Sequence, residues 1–136
     1  MKKKLLSLLL AAAMLLTLAA CGESPVTGTD ATATEPVVIL HTNDVHGAIE
    51  NYAKVAVLAD RYAADGAYVL VLDAGDYSQG DSTVSLSQGA AAIELMNMVG
   101  YDAAALGNHE FDYGYEVLKT NMASAQFPVL AANVLY

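Results

Sequence analysis

The sequence predicts an α/β fold: a mostly parallel sheet in βαβαβαβ order with helices flanking it. Three observations lead there. Four short apolar runs, at residues 37–40, 68–72, 103–106 and 129–132, are continuous rather than alternating, as in strands buried on both faces. The segments between them carry apolar residues at helical spacing. Three of the runs also lead straight into polar clusters: His41-Thr42-Asn43-Asp44-Val45-His46-Gly47, Asp73-Ala74-Gly75-Asp76 and Gly107-Asn108-His109-Glu110-Phe111-Asp112. The steps from Asp44 to Asp76 and from Asp76 to Asn108 are both 32 residues. A strand–helix–strand unit takes roughly 30. Right-handed crossovers of that length bring the clusters to one sheet edge, beyond the strands' carboxyl ends, where open α/β sheets bind ligands.

The chain begins with a segment of another kind. Met1-Lys2-Lys3-Lys4 is basic, and residues 5–20 are apolar apart from Ser7 and Thr17. That run is shorter than the ~20 residues of a membrane span and ends in small residues, so residues 1–20 read as a signal peptide. Leu18-Ala19-Ala20-Cys21 resembles a bacterial lipobox. This implies a lipidated Cys21 and a lipoprotein held to the membrane in the cell envelope, on the extracytoplasmic side. Cys21 is the only cysteine, so no intramolecular disulfide can form. Residues 21–36, rich in Thr, Ala, Gly and Pro, read as a flexible tether with an rms reach of roughly 20 Å.

Residues 37–40 open the sheet. Asn51 is placed to cap a helix over 51–64, in which Val55, Leu58, Ala59 and Tyr62 share one face, and Asp65-Gly66 stops it. After the strand at 68–72, residues 76–87 form a polar stretch long for a βα connection, hence a candidate functional loop. A second helix is expected over 89–99, with Ile93, Met96 and Val99 facing the sheet and Gly100 at its end. The third strand, 103–106, precedes a helix over 113–125 with Val117, Leu118 and Met122 inward. Pro128 leads into the strand at 129–132. Residues 37–136 end on an apolar stretch just past a strand, which leaves a sheet edge uncovered, so the chain reads as a fragment that holds only part of this domain.

Charge narrows the function classes. All fifteen acidic residues follow Cys21 and face only Lys54, Arg61 and Lys119, a formal charge of −12 beyond that cysteine. Binding to a nucleic-acid polymer needs a basic surface and is excluded. An acidic chain that accepts a small anionic substrate needs local positive charge, which divalent cations supply.

The polar clusters suit such cations. Asp44 and His46, alternate residues on a loop, can aim at one metal ion. Asp76 has two oxygens and can bridge two ions, and Asn108 offers a neutral carbonyl oxygen. Taken singly, strand-end Asp and Asn residues more often cap turns; together, at equal spacing, they favour a metal site.

The strings His41-Thr42-Asn43-Asp44-x-His46-Gly47, Asp73-Ala74-Gly75-Asp76-x-x-Gln79-Gly80, Met96-Asn97-x-x-Gly100-Tyr101-Asp102 and Gly107-Asn108-His109-Glu110-Phe111-Asp112-x-Gly114 resemble the amino-terminal part of the 5′-nucleotidase family, within the calcineurin-like metallophosphatases. The resemblance covers residues 37–134 and implies half of a metallophosphatase-type sandwich. It implies two divalent metal ions (Mn, Zn, Mg or Fe), with Asp44 and His46 on one, Asp76 bridging, and Asn108 on the second. It makes His109 and Asp112 a catalytic dyad. The implied reaction is hydrolysis of nucleotide phosphate esters by metal-activated water. Sibling hydrolases acting on cyclic nucleotides, nucleotide sugars or sulfur esters share the motifs, and a non-catalytic metal-binding lipoprotein is the alternative outside the enzyme class. The family completes its metal site with later histidines, whereas the three here end at His109, so little turnover is expected of this chain alone. Four further expectations concern single residues. His41 and Asp73 should be buried supports, Glu110 should support the turn or the helix amino-terminus rather than bind metal, and Asp81 should lie on a solvated loop.

Overall fold

A computed structural model describes residues 35–132 and 134. The expected signal peptide, and the expected tether up to residue 34, lie outside the described residues. Glu35 and Pro36 precede the first strand, and the Pro36 carbonyl accepts a 2.9 Å bond from the Tyr68 amide.

Strand β1 (Val37–Thr42) leads to helix α1 (Glu50–Ala64), then β2 (Tyr68–Asp73) and the short helix α2 (Ser82–Leu86). Helix α3 (Ala90–Val99), strand β3 (Ala103–Ala105), a 3-10 turn (His109–Phe111), helix α4 (Tyr115–Ser124) and strand β4 (Val129–Leu130) follow. The strands lie in the order β1-β2-β3-β4, all parallel. Val37 pairs with Tyr68 and Thr42 with Asp73, so β1 and β2 end level. The four-stranded parallel sheet with flanking helices is the predicted class.

Local chemistry moved several boundaries. Ile49, not Asn51, occupies the α1 N-cap position, and no side chain caps it. Asn51 sits inside the first turn, where its Oδ1 accepts from Lys54 Nζ at 2.9 Å. The polar stretch 76–87 is not wholly a loop. Asp81 Oδ1 accepts from the Thr83 amide at 3.0 Å, an N-cap bond that starts α2. That cap is what Asp81 does on its exposed loop. Ahead of α4 the chain makes a 3-10 turn, then passes Gly114 at φ 85°, so the helix starts at Tyr115 rather than 113.

The expectation of burial on both faces is corrected for the edge. Successive strand side chains alternate between faces. Val71 and Ala104 share one face and pack in a single cluster with Tyr52 of α1 and Ile93 and Met96 of α3. On the other face Val37 and Ile39 remain 63% and 58% exposed, and Leu130 is exposed too. His41 shares that face and is likewise exposed, not buried as expected. The physical reason is one-sided cover: among the described residues, the core cluster forms on the Val71 side alone.

At the carboxyl end of β2 the core contains a polar node. Asp73 is 4% exposed. It accepts from Thr42 Oγ1 at 2.5 Å and from the Gly75 amide at 2.8 Å, and Thr42 Oγ1 lies 2.8 Å from the Tyr101 hydroxyl. Burial pushes the Asp73 carboxyl up to about 6, against the two hydrogen bonds that favour its charged form. Asp73 thus ties β1, β2 and the turn before the site, the support expected of it. Among the described residues no helix is long and apolar enough to cross a membrane.

Candidate metal centre

The loops after β1, β2 and β3 meet beyond the carboxyl edge of the sheet. The Asp44 amide donates to the Gly75 carbonyl at 3.0 Å, and the His46 amide to the Asp76 carbonyl at 3.3 Å, stitching the first loop to the second. The His109 amide donates to Asp76 Oδ1 at 2.8 Å, joining the third. Glycine makes the approach of the last two possible. A Cβ at Gly107 would lie 2.3 Å from Asp76 Oδ1, and one at Gly75 would lie 2.5 Å from the Gly107 nitrogen.

Asp44, His46 and Asp76 are thereby brought together. One ligating atom from each lies within 4.8 Å of the others. His46 Nε2 is 3.4 Å from Asp44 Oδ1. Two carboxylates and an imidazole are a donor set for hard or borderline divalent cations, so the residues present fit such an ion. The backbone carries the same message. Among the described residues four non-glycine residues have positive φ, and three are these: Asp44 at 52°, His46 at 46° and Asp76 at 62°. Left-handed backbone is uncommon outside glycine, costs roughly 1–2 kcal/mol per residue, and gathers at functional sites. The fold holds three such residues side by side.

The surroundings orient the set. The Gln79 carboxamide lies 2.9 Å from His46 Nδ1, which leaves Nε2 facing Asp44. The Asn43 amide nitrogen donates to Asp44 Oδ2. Asn108 is exposed on the β3 loop, between Gly107, which packs on Asp76, and His109, whose amide binds Asp76. The His109 and His46 rings stand edge to face, their centroids 5.0 Å apart. His109 Nδ1 lies 2.6 Å from Asp112 Oδ2, and that hydrogen bond raises the affinity of His109 for its second proton above the ordinary histidine range.

Two contributors were only partly legible in the sequence. Gln79 was visible as part of a motif, but its contact with His46 spans 33 residues. Glu110 was expected to support its turn. It does so through the Gly107 amide and is also a buried acceptor for a second loop, treated below.

The family model for the calcineurin-like phosphoesterases matches residues 37–134. The chain belongs to that family. Among relatives of this calcineurin-like phosphoesterase chain, the 5′-nucleotidase of Vibrio cholerae serotype O1 is 38% identical over 141 residues, covering 96% of this chain and 26% of that protein. The protein UshA of Escherichia coli is 38% identical over 112 residues, covering 74% and 20% respectively. Among solved structures, the 5′-nucleotidase precursor of Thermus thermophilus superimposes with a TM-score of 0.65 at 36% identity, over 70% of this chain and 22% of that one. The chain thus spans about a quarter or less of the length of these relatives. Calcineurin-like phosphoesterases are hydrolases that use divalent metals, and the Asp44–His46–Asp76 cluster is this chain's candidate metal-binding triad.

Proposed function

We propose that the protein is an exported phosphoesterase of the 5′-nucleotidase type, that Asp44, His46, Asp76 and Asn108 supply ligands to two divalent cations, and that His109 with Asp112 is the catalytic dyad. The observation that carries this is the convergence of three left-handed ligand residues within 4.8 Å, beside a hydrogen-bonded His–Asp pair. The relatives named as 5′-nucleotidases favour a nucleotide as the small phosphoester.

When bound, the cations supply Lewis-acid polarisation of the phosphoryl group and a water of lowered pKa. The rest falls to side chains. The His109 amide fixes one oxygen of Asp76, and the Gln79 carboxamide fixes the ring of His46, so both ligands are oriented in advance. His109 uses Nδ1 for Asp112, which leaves Nε2 for substrate. With its cationic form favoured by the Asp112 bond, the ring adds positive charge where phosphoryl charge develops and can hand a proton from Nε2 to the departing ester oxygen. As the P–O ester bond breaks and water supplies the new oxygen, the products are an alcohol and inorganic phosphate.

Lipidation of Cys21 and a tether over 21–36 belong to the same reading, with the domain working at the outer face of a membrane. The lipobox resemblance supports that placement.

The test is phosphate release from adenosine 5′-monophosphate by the full-length protein. Release should stop on chelation, return with Mn²⁺, and be lost in Asp76→Ala. Activity indifferent both to chelation and to Asp76→Ala refutes the mechanism.

A further inference from the structure

Glu110 is 3% exposed, and among the described residues the other carboxylates, apart from Asp73, reach solvent to a larger degree. Its side chain does not turn to the metal triad. Oε2 accepts from the Asp76 amide at 2.9 Å and the Gly107 amide at 2.6 Å, while Oε1 accepts from the Tyr77 amide at 2.9 Å and the Ser78 amide at 3.1 Å. Four backbone donors from two loops end on one carboxylate.

Three consequences follow from where those donors sit. The amide of Asp76 belongs to a residue held at φ 62°, a conformation that needs outside support, and the Glu110 bond supplies it at that residue. The next two amides continue along the same turn, so three consecutive N–H groups point at one anion, a concave arrangement of the kind that binds anions elsewhere. Here the anion is built in. The Gly107 amide lies on the other loop, next to Asn108, and shares Oε2 with Asp76. A single oxygen therefore ties the loop of Asp76 to the loop of Asn108 and His109, beside the bond from the His109 amide to Asp76.

We propose that Glu110 is a positioning residue of the metal centre: its carboxylate clamps the two loops together and holds Asp76 in the backbone conformation that presents its oxygens. The inference rests on the metal-centre reading above. Charge-assisted bonds to backbone amides are roughly twice as strong as neutral ones, and burial keeps water from replacing them. Glutamine has the same shape but one acceptor fewer. In Glu110→Gln an N–H₂ group must face either the Asp76 and Gly107 amides or the Tyr77 and Ser78 amides, and that pair loses its acceptor.

The experiment is a Mn²⁺ titration of the chain followed by electron paramagnetic resonance, with circular dichroism and urea unfolding alongside. Groups that support metal ligands from behind typically contribute about 10–100-fold in affinity, and Glu110→Gln should weaken Mn²⁺ by that factor while remaining folded. Ile93→Val, a trimmed core side chain away from the site, is the control: it should lower the urea midpoint and leave Mn²⁺ affinity unchanged. A folded Glu110→Gln that binds as the wild type does, within about twofold, overturns the inference alone. A wild-type chain that binds no Mn²⁺ overturns the metal-centre reading and the inference with it. Should the variant not fold, amide hydrogen exchange in the wild type decides. Slow exchange at Asp76, Tyr77, Ser78 and Gly107 upholds the clamp, and exchange at open-loop rates there overturns it.

Discussion

One methyl group at Gly107 tests whether the loops meet as described. In Gly107→Ala the added Cβ would lie 2.3 Å from Asp76 Oδ1, 2.6 Å from its Cγ and 2.8 Å from its nitrogen. Ordinary contact begins near 3.4 Å, so the Asp76 carboxylate has to retreat by about 1 Å. Metal–ligand distances tolerate about 0.2 Å, and a shift of this size removes the ligand. Gly107 is not among the positive-φ glycines, so alanine meets no left-handed strain there and the effect is steric. Overpacking of this kind costs roughly 1–3 kcal/mol in stability. Mn²⁺ affinity should fall at least about tenfold, equal to about 1.4 kcal/mol. The matched control is Gly100→Ala. Gly100 ends α3 at φ 82° with nothing within 4 Å of a built Cβ. That variant carries only the left-handed strain of about 1–2 kcal/mol. Isothermal titration with Mn²⁺, read beside urea midpoints, separates the two. Gly100→Ala should lose stability and keep the metal, whereas Gly107→Ala should lose the metal. A folded Gly107→Ala that binds like the wild type, or equal loss of metal in both variants, refutes the loop geometry.

Two further predictions concern charge. Asp73 has its folded-state pKa raised to about 6, mainly by burial, from an ordinary 3.8, so the fold favours its protonated form. Its contribution to stability is complete below about pH 4 and is lost as pH rises through about 6, roughly 3 kcal/mol at most. Asp73→Asn, neutral throughout and still able to accept from the Gly75 amide, should remove that decline; identical pH slopes of the urea midpoint in the two proteins would contradict the burial argument. For His109, the bond to Asp112 raises the pKa, so the pair's stabilisation is present below the ordinary histidine value of 6.5 and lost as pH rises through the raised one. In the metal-free chain, Asp112→Asn should move the NMR titration midpoint of the His109 ring downward, and an unmoved midpoint would dissolve the dyad.

The sequence by itself determined the order of the four strands and of the three longer helices between them, and the sheet edge at which the polar clusters meet. Strand and helix periods are local, so the runs at 37–40, 68–72 and 103–106 announced parallel strands. Equal 32-residue steps announced that Asp44, Asp76 and Asn108 would reach one edge. Those inferences need only a few neighbouring residues and the geometry of a crossover. The tertiary structure decided the rest. The left-handed backbone of Asp44, His46 and Asp76 has no local signature, because none of the three is a glycine and what stabilises them comes from another loop. The partners of Glu110 lie up to 34 residues away, and the Gln79–His46 contact spans 33. Exposure of Ile39 and His41 was set by which face the helices cover, a choice that a continuous apolar run does not encode. Periodicity places an element. Only the packing of one loop against another settles which donor meets which acceptor, because those bonds form between backbones the chain brings together after its elements exist.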